Sequence, residues 1–293
     1  MLRSTFIQQL VLTALGMSYT NTLKKINQRL PTAGNKMPVL FVGHGSPMNA
    51  IEDNEFSQRW AKMGQEIPQP TTVVCISAHW LTKGTYITAM EQPTTIHDFG
   101  GFPKDLFDVQ YPAPGHPELA NEVTQLSTTN KIQLDHEWGL DHGTWSVLKQ
   151  MYPKANIPVL QLSIDYNRPA AYHFALAKEL ASLRNKGVLL IGSGNMVHNL
   201  SMVAWNKINE PEYGFDWAHE INTLFKQHIS SRNFNPLLNY ESLGAAAKLA
   251  IPTPDHYYPM IYSLGLIDSK DDISFFNDKA VGGSLTMTSF KAA

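Results

Sequence analysis

Histidine is the residue that stands out, and its positions suggest metal or proton chemistry. Of eleven histidines, three follow short apolar runs: His44 in "FVGHGSPM", His79 in "SAHW" and His198 in "GSGNMVHN". Two more sit in loops shaped by glycine or proline, His142 in "GLDHGTW" and His256 in "PTPDHYYP". Imidazole nitrogens in a cluster suit zinc, copper, iron and nickel, and imidazole is also the commonest general acid or base. Glycines beside a histidine let the backbone turn tightly and approach a ligand. His97, in "TIHDFGGFP", lies where a Gly-Gly loop could carry it to the mouth of such a site. His116, His136, His173, His219 and His228 lack this setting, and the last three read as helix-surface residues.

Other chemistries are excluded or weak. The single cysteine, Cys75, lies in the apolar run "TTVVCIS" and reads as a buried strand residue. Disulfides within the chain and Cys-rich zinc motifs are therefore ruled out. "GSGNMV" lacks the third glycine of a dinucleotide loop, and "GHGSP" is not a Gly-x-Ser-x-Gly nucleophile elbow. A net charge of -2 gives no electrostatic reason to expect nucleic acid or an anionic membrane as partner.

The elements that must position these histidines are legible as alternating strands and helices. Nearly continuous apolar runs at 38–43, 71–78, 157–164 and 187–194 read as parallel strands buried on both faces. Helix candidates at 53–64, 117–127, 143–152 and 170–185 fall between or after them. The expected fold is α/β: a single domain with a mostly parallel central sheet flanked by helices, closed by a C-terminal antiparallel hairpin around "KAVGG". His44, His79 and His198 then sit at the C-terminal edge of the sheet, where open α/β sheets bind ligands. With 43% hydrophobic and only 16% charged residues, the chain can bury one large core over 37–293. Residues 1–36 read as an N-terminal extension, an amphipathic helix over about 4–19 or a weakly signal-like segment. A cytoplasmic enzyme is expected, or an exported one if that segment is a signal. No apolar run is long enough for a membrane span.

Taken together, "GHGSPMNA", "SAHW", "TIHDFGGFP", "YPAPGHPELA", "GLDHGTW", "GNMVHNL" and "PTPDHYYP" resemble, in order, the LigB-type (class III) extradiol ring-cleavage dioxygenases. Within that family the match is to the DOPA 4,5-dioxygenase branch. The resemblance covers roughly 37–293 and implies one Zn(II) or Fe(II) ion per chain. By it, His44, His79 and His256 match metal-binding positions, and His256 stands where protocatechuate-cleaving relatives carry a glutamate. His198 matches a histidine that is acid/base in some relatives and on zinc in this branch. His142 matches a second active-site histidine, so His142 and His198 are the catalytic candidates. The implied reaction opens the ring of a catechol such as L-DOPA with dioxygen, giving a muconate semialdehyde. Small-molecule catechol and dioxygen are the implied partners, in a monomer or small homo-oligomer.

Substrate contacts are expected from His97, Trp80 and Tyr257, with Phe99, Phe102 and Tyr258 in the same motifs; packing explains each aromatic equally well. Asp98 or Asp141 could meet a substrate ammonium, or cap a helix or turn. Two other functions use the same histidines: a zinc-dependent hydrolase or lyase, in which three histidines hold the ion and an activated water attacks, and a non-catalytic, Memo-like binding protein.

Overall fold

The computed structural model describes residues 36–293, so the expected helix over 4–19 lies outside the described residues. Six strands form the central sheet: β1 (Val39–Gly43), β2 (Thr72–Ser77), β3 (Val159–Gln161), β4 (Val188–Gly194), β5 (Ile273–Phe276) and β6 (Ser289–Ala292). Their spatial order is β3-β2-β4-β1-β6-β5. The four strands from β3 to β1 are parallel, and β6 and β5 are added antiparallel beyond β1.

Every residue of β1 to β4 is buried, the outcome their unbroken apolar runs demand. Successive side chains alternate between the two sheet faces. Val39 and Phe41 face one core with Val74, Leu160 and Leu190, while Leu40 and Val42 face the other with Val73, Cys75 and Leu189. The first core is covered by α2 (Pro117–Leu126), α4 (Ala170–Leu180), α5 (Asp216–Ser230) and α6 (Tyr258–Gly265). The second is covered by α1 (Glu55–Glu66) and α3 (His142–Met151), through Trp60, Met63, Trp145 and Leu148.

Three expectations are refined. The run 157–164 breaks after Gln161, and Ile164–Asp165 instead pairs with Leu81–Thr82 outside the main sheet. The helix expected over 170–185 ends at Leu180 and tightens into 3₁₀ turns over Ala181–Lys186 before left-handed Gly187. In the C-terminal hairpin, β5 pairs with β6, and the connection folds into a smaller ribbon, Ala280–Val281 with Leu285–Thr286.

Registration of the central strands fixes where the chemistry lies. Ser77 on β2 pairs with Ser193 on β4, and Gly43 on β1 pairs with Gly194 on β4. The exits of β2, β4 and β1 therefore stand side by side at the C-terminal edge.

A candidate metal centre built from histidines

His44 leaves β1 with its backbone N–H still bonded to the Gly194 carbonyl at 3.1 Å. Gly45 then takes φ +58°, a turn that favours glycine, and a Cβ there would meet the Met287 sulfur at 2.5 Å. His79 follows β2 by two residues, and its backbone N–H reaches the Ser77 hydroxyl. His256 sits in the loop before α6, where its carbonyl accepts the Asn195 N–H beyond β4 at 2.9 Å. The ring nitrogens offered by His44, His79 and His256 all lie within 4.8 Å of one another.

The outer hydrogen bonds decide which nitrogens face inward. Ser193 donates its hydroxyl proton to the Gly143 carbonyl at 2.5 Å. Its oxygen must therefore accept from His44 Nδ1–H, 3.0 Å away. That leaves the lone pair of His44 on Nε2, which stands 3.1 Å from His79 Nε2. His256 Nδ1 is taken by Asp255, and His79 Nδ1 lies 3.4 Å from Asp98 Oδ2. Carboxylate or hydroxyl partners on Nδ1 with Nε2 free are the usual outer support of a histidine metal site. Two imidazoles on a tetrahedral ion at about 2.05 Å would hold their nitrogens roughly 3.3 Å apart. The donor set and its spacing fit such an ion.

Electrostatics keep His44, His79 and His198 neutral, the form in which imidazole ligates. Burial, then the neighbouring imidazoles of His256, His142 and His198, hold His44 well below the usual histidine range. Burial, then His142 and His44, do the same to His79. Burial and His256 take His198 down to about 3, with Asp255 opposing.

His142 opens α3. Its ring centre is 3.9 Å from that of His79, and its Nδ1 lies 2.9 Å from Asp98 Oδ2. Asp141 caps this helix by accepting the Thr144 N–H at 3.1 Å, and Gln161 holds it through both its amide atoms. Burial and nearby Asp98 push the Asp141 carboxyl above its ordinary range. Gly143 is required by close approach: a Cβ there would stand 2.5 Å from Ser77 Oγ and 3.0 Å from His79 Cδ2.

His198 lies outside the set of three. Its ring stacks on His256 with centres 3.5 Å apart and planes 7° from parallel, and it groups instead with Asp255 and His256. His97 stands one layer back, its Nε2 bonded to the Val109 carbonyl and its ring against Phe99, which in turn meets His142 edge-on. The aromatic expectations change more. Tyr257 is core: its hydroxyl bonds the Leu237 carbonyl and its ring packs on Phe225 and Tyr240. Trp80 is 3% exposed and stacks flat on Trp138, so packing explains it. Neither acid is free for a substrate ammonium, since Asp98 is committed to His142 and Asp141 to its cap and Gln161.

Sequence reading missed Ser193, because a serine inside an apolar strand gives no periodic signal. It also misplaced His173, which is fully buried between α4 and α6 with Nδ1 3.1 Å from the Tyr262 hydroxyl.

The chain is also similar to several known proteins. The family described as the catalytic LigB subunit of aromatic ring-opening dioxygenase matches residues 38–286. A 4,5-DOPA dioxygenase extradiol of Escherichia coli (strain K12) is 46% identical over 261 residues, covering 88% of this chain and 95% of that protein. A 4,5-DOPA dioxygenase extradiol of Beta vulgaris is 32% identical, covering 88% of this chain and 97% of its own. The crystal structure of an uncharacterized Escherichia coli K12 protein superposes with a TM-score of 0.76 at 41% identity, over 88% of this chain and all of that one.

Proposed function

This chain belongs to the LigB family of aromatic ring-opening dioxygenases, which are metal-dependent oxidoreductases, and from that premise we propose that it opens the ring of catechols by extradiol cleavage. L-DOPA is the substrate class to try first, because the relatives at 46% and 32% identity are named for it. The product would be a muconate semialdehyde carrying both atoms of dioxygen.

The observation that supports this reading best is the convergence of His44, His79 and His256, with Nδ1 of each facing an outer hydroxyl or carboxylate. We assign those three residues one Fe(II) ion, which when bound would supply the electron transfer between catecholate and dioxygen. Zn(II) suits the same nitrogens but has no accessible second oxidation state, so a zinc-loaded chain would bind catechol without turnover.

The chain's own part is geometry and proton traffic. His142 Nδ1 is engaged by Asp98, which leaves Nε2 to take a catechol proton. His198, stacked on His256 and held neutral there, is the second candidate for proton transfer. Phe99, edge-on to His142, offers an apolar wall to the ring. Membrane attachment through a helix has no support here: among the described residues no helix is long and apolar enough to cross a bilayer.

The test is the visible spectrum of protein stripped of metal and reloaded without oxygen, then mixed with L-DOPA in air. A yellow semialdehyde with Fe(II) and none with Zn(II) is expected. A catechol-derived product with zinc alone would favour the zinc hydrolase or lyase.

A further inference from the structure

Asp98 makes three contacts to the histidine cluster. Its Oδ1 accepts the His142 backbone N–H at 2.9 Å, and its Oδ2 lies 2.9 Å from His142 Nδ1. The same Oδ2 is 3.4 Å from His79 Nδ1. One carboxylate oxygen thus lies between the Nδ1 atoms of two imidazoles whose ring centres are only 3.9 Å apart.

The loop that delivers it is anchored on both strands of a short backbone ladder. Leu140 N–H bonds the Thr94 carbonyl and Ile96 N–H bonds the Leu140 carbonyl, each at 2.8 Å. Trp145, on the buried side of α3, donates its indole N–H to the Ile96 carbonyl at 2.8 Å. These bonds join the Asp98 loop to the start of α3. The carboxylate and the His142 ring are therefore placed by one rigid unit.

We propose that Asp98 is the positioning residue for both His142 and His79, fixing each ring in the Nδ1–H form so that both Nε2 atoms face the site. The roles of those two histidines, one moving a proton and one holding metal, rest on the function proposed above. A carboxylate can only accept, so while Asp98 is ionised His142 must present N–H across their hydrogen bond, and at His79, 3.4 Å away without a hydrogen bond, the negative charge favours the Nδ1–H form. The other nitrogen of each ring is then left with its lone pair, which serves ligation at His79 and proton abstraction at His142. An asparagine can turn its NH₂ towards His142 Nδ1 and would then select the wrong tautomer, a change that costs a catalytic histidine up to about 10⁴ in kcat elsewhere.

The test uses the full chain as wild type, Asp98→Asn, His142→Ala and the double variant. Zinc affinity is read by competition with a chromophoric chelator, the His142 tautomer by ¹⁵N NMR of the zinc-loaded protein, and kcat and KM for L-DOPA with Fe(II). Asp98→Asn is expected to weaken zinc binding by about 10–100-fold, the usual effect of losing an outer partner. It should also move His142 from the Nδ1–H to the Nε2–H signature and lower kcat by about 10² or more with KM little changed. In the His142→Ala background the kcat loss should vanish while the zinc loss, transmitted through His79, persists. Asp98→Glu keeps the carboxylate and should retain the Nδ1–H signature, which decides the matter if the asparagine variant does not fold. Unchanged zinc affinity and tautomer in Asp98→Asn, or a kcat loss that adds in full to His142→Ala, would overturn the proposal. Wild-type protein that binds zinc but never turns over L-DOPA would count against the proposed function alone, and the affinity and NMR readings would still judge Asp98.

Discussion

His44 Nε2 and His79 Nε2 face each other across 3.1 Å, although they leave strands that are not neighbours. Strand β4 lies between their strands, and its Ser193 turns His44 so that the lone pair, not the N–H, points inward. With His79 in its Nδ1–H form, two lone pairs meet at that distance, an arrangement that a cation between them would stabilise. Burial and the surrounding imidazoles disfavour the imidazolium form of either ring, so the pair stays neutral and open to a cation.

Removing either ring should therefore abolish metal retention. His44→Ala and His79→Ala are each expected to carry less than a tenth of an equivalent after desalting, measured by elemental analysis against wild type. A full equivalent in either variant would remove that residue from the site.

Ser193 is expected to matter through orientation alone. Ser193→Ala leaves His44 Nδ1 without its acceptor and the Gly143 carbonyl without its donor. Metal affinity should fall by about 10–100-fold, with Ser193→Thr recovering most of it if the extra methyl is accommodated. Chelator competition on both variants checks this.

Gly143→Ala should be costly for a residue in the first turn of a helix, where alanine is normally favoured. Its Cβ would meet Ser77 Oγ at 2.5 Å and His79 Cδ2 at 3.0 Å. A loss of about 1–3 kcal/mol is expected from such overpacking, together with weaker metal binding as the His79 ring is pushed aside. Denaturant unfolding and metal titration read the two effects separately.

His173 predicts a pH dependence of stability that has nothing to do with the site. Burial takes it down to about 4 in the folded chain, while the unfolded residue titrates near ~6.5. Between those values the unfolded state binds more protons, so stability is complete above pH ~6.5 and is lost as pH falls towards 4. The loss amounts to roughly 3 kcal/mol at most. His173→Phe should lessen the slope of the metal-free protein's stability between pH ~6.5 and 4 by its own share, leaving the part carried by His44, His79 and His198, at some cost at neutral pH from the unpartnered Tyr262 hydroxyl. An unaltered slope would mean that His173 does not carry this dependence.

Much of this was legible in the sequence, for identifiable reasons. Strands buried on both faces leave unbroken apolar runs, so β1, β2 and β4 could be read with their exits, and with them the sites of His44, His79 and His198. Gly-His and His-Gly pairs marked His44 and His142 because backbone approach at Gly45 and Gly143 leaves no room for a side chain. What could not be read depends on distance in sequence. Ser193 meets His44 across 149 residues and Asp98 meets His142 across 44. Tyr257 adjoins His256 in the chain yet points into the opposite environment, because the start of α6 sends adjacent side chains in different directions. His173 reads as a surface residue for its polarity, although it stands three, four and seven residues before Leu176, Ala177 and Leu180 on the buried stripe of α4.

Oxygen stoichiometry tests the central claim most directly. Protein reloaded anaerobically with Fe(II) would be placed in an oxygen-electrode cell and given a limiting amount of L-DOPA, with catalase added afterwards. We predict one dioxygen consumed per catechol and no oxygen returned by catalase, since both atoms enter the ring-opened product. No uptake, or uptake that catalase partly returns as oxygen from hydrogen peroxide, would contradict ring cleavage by this site.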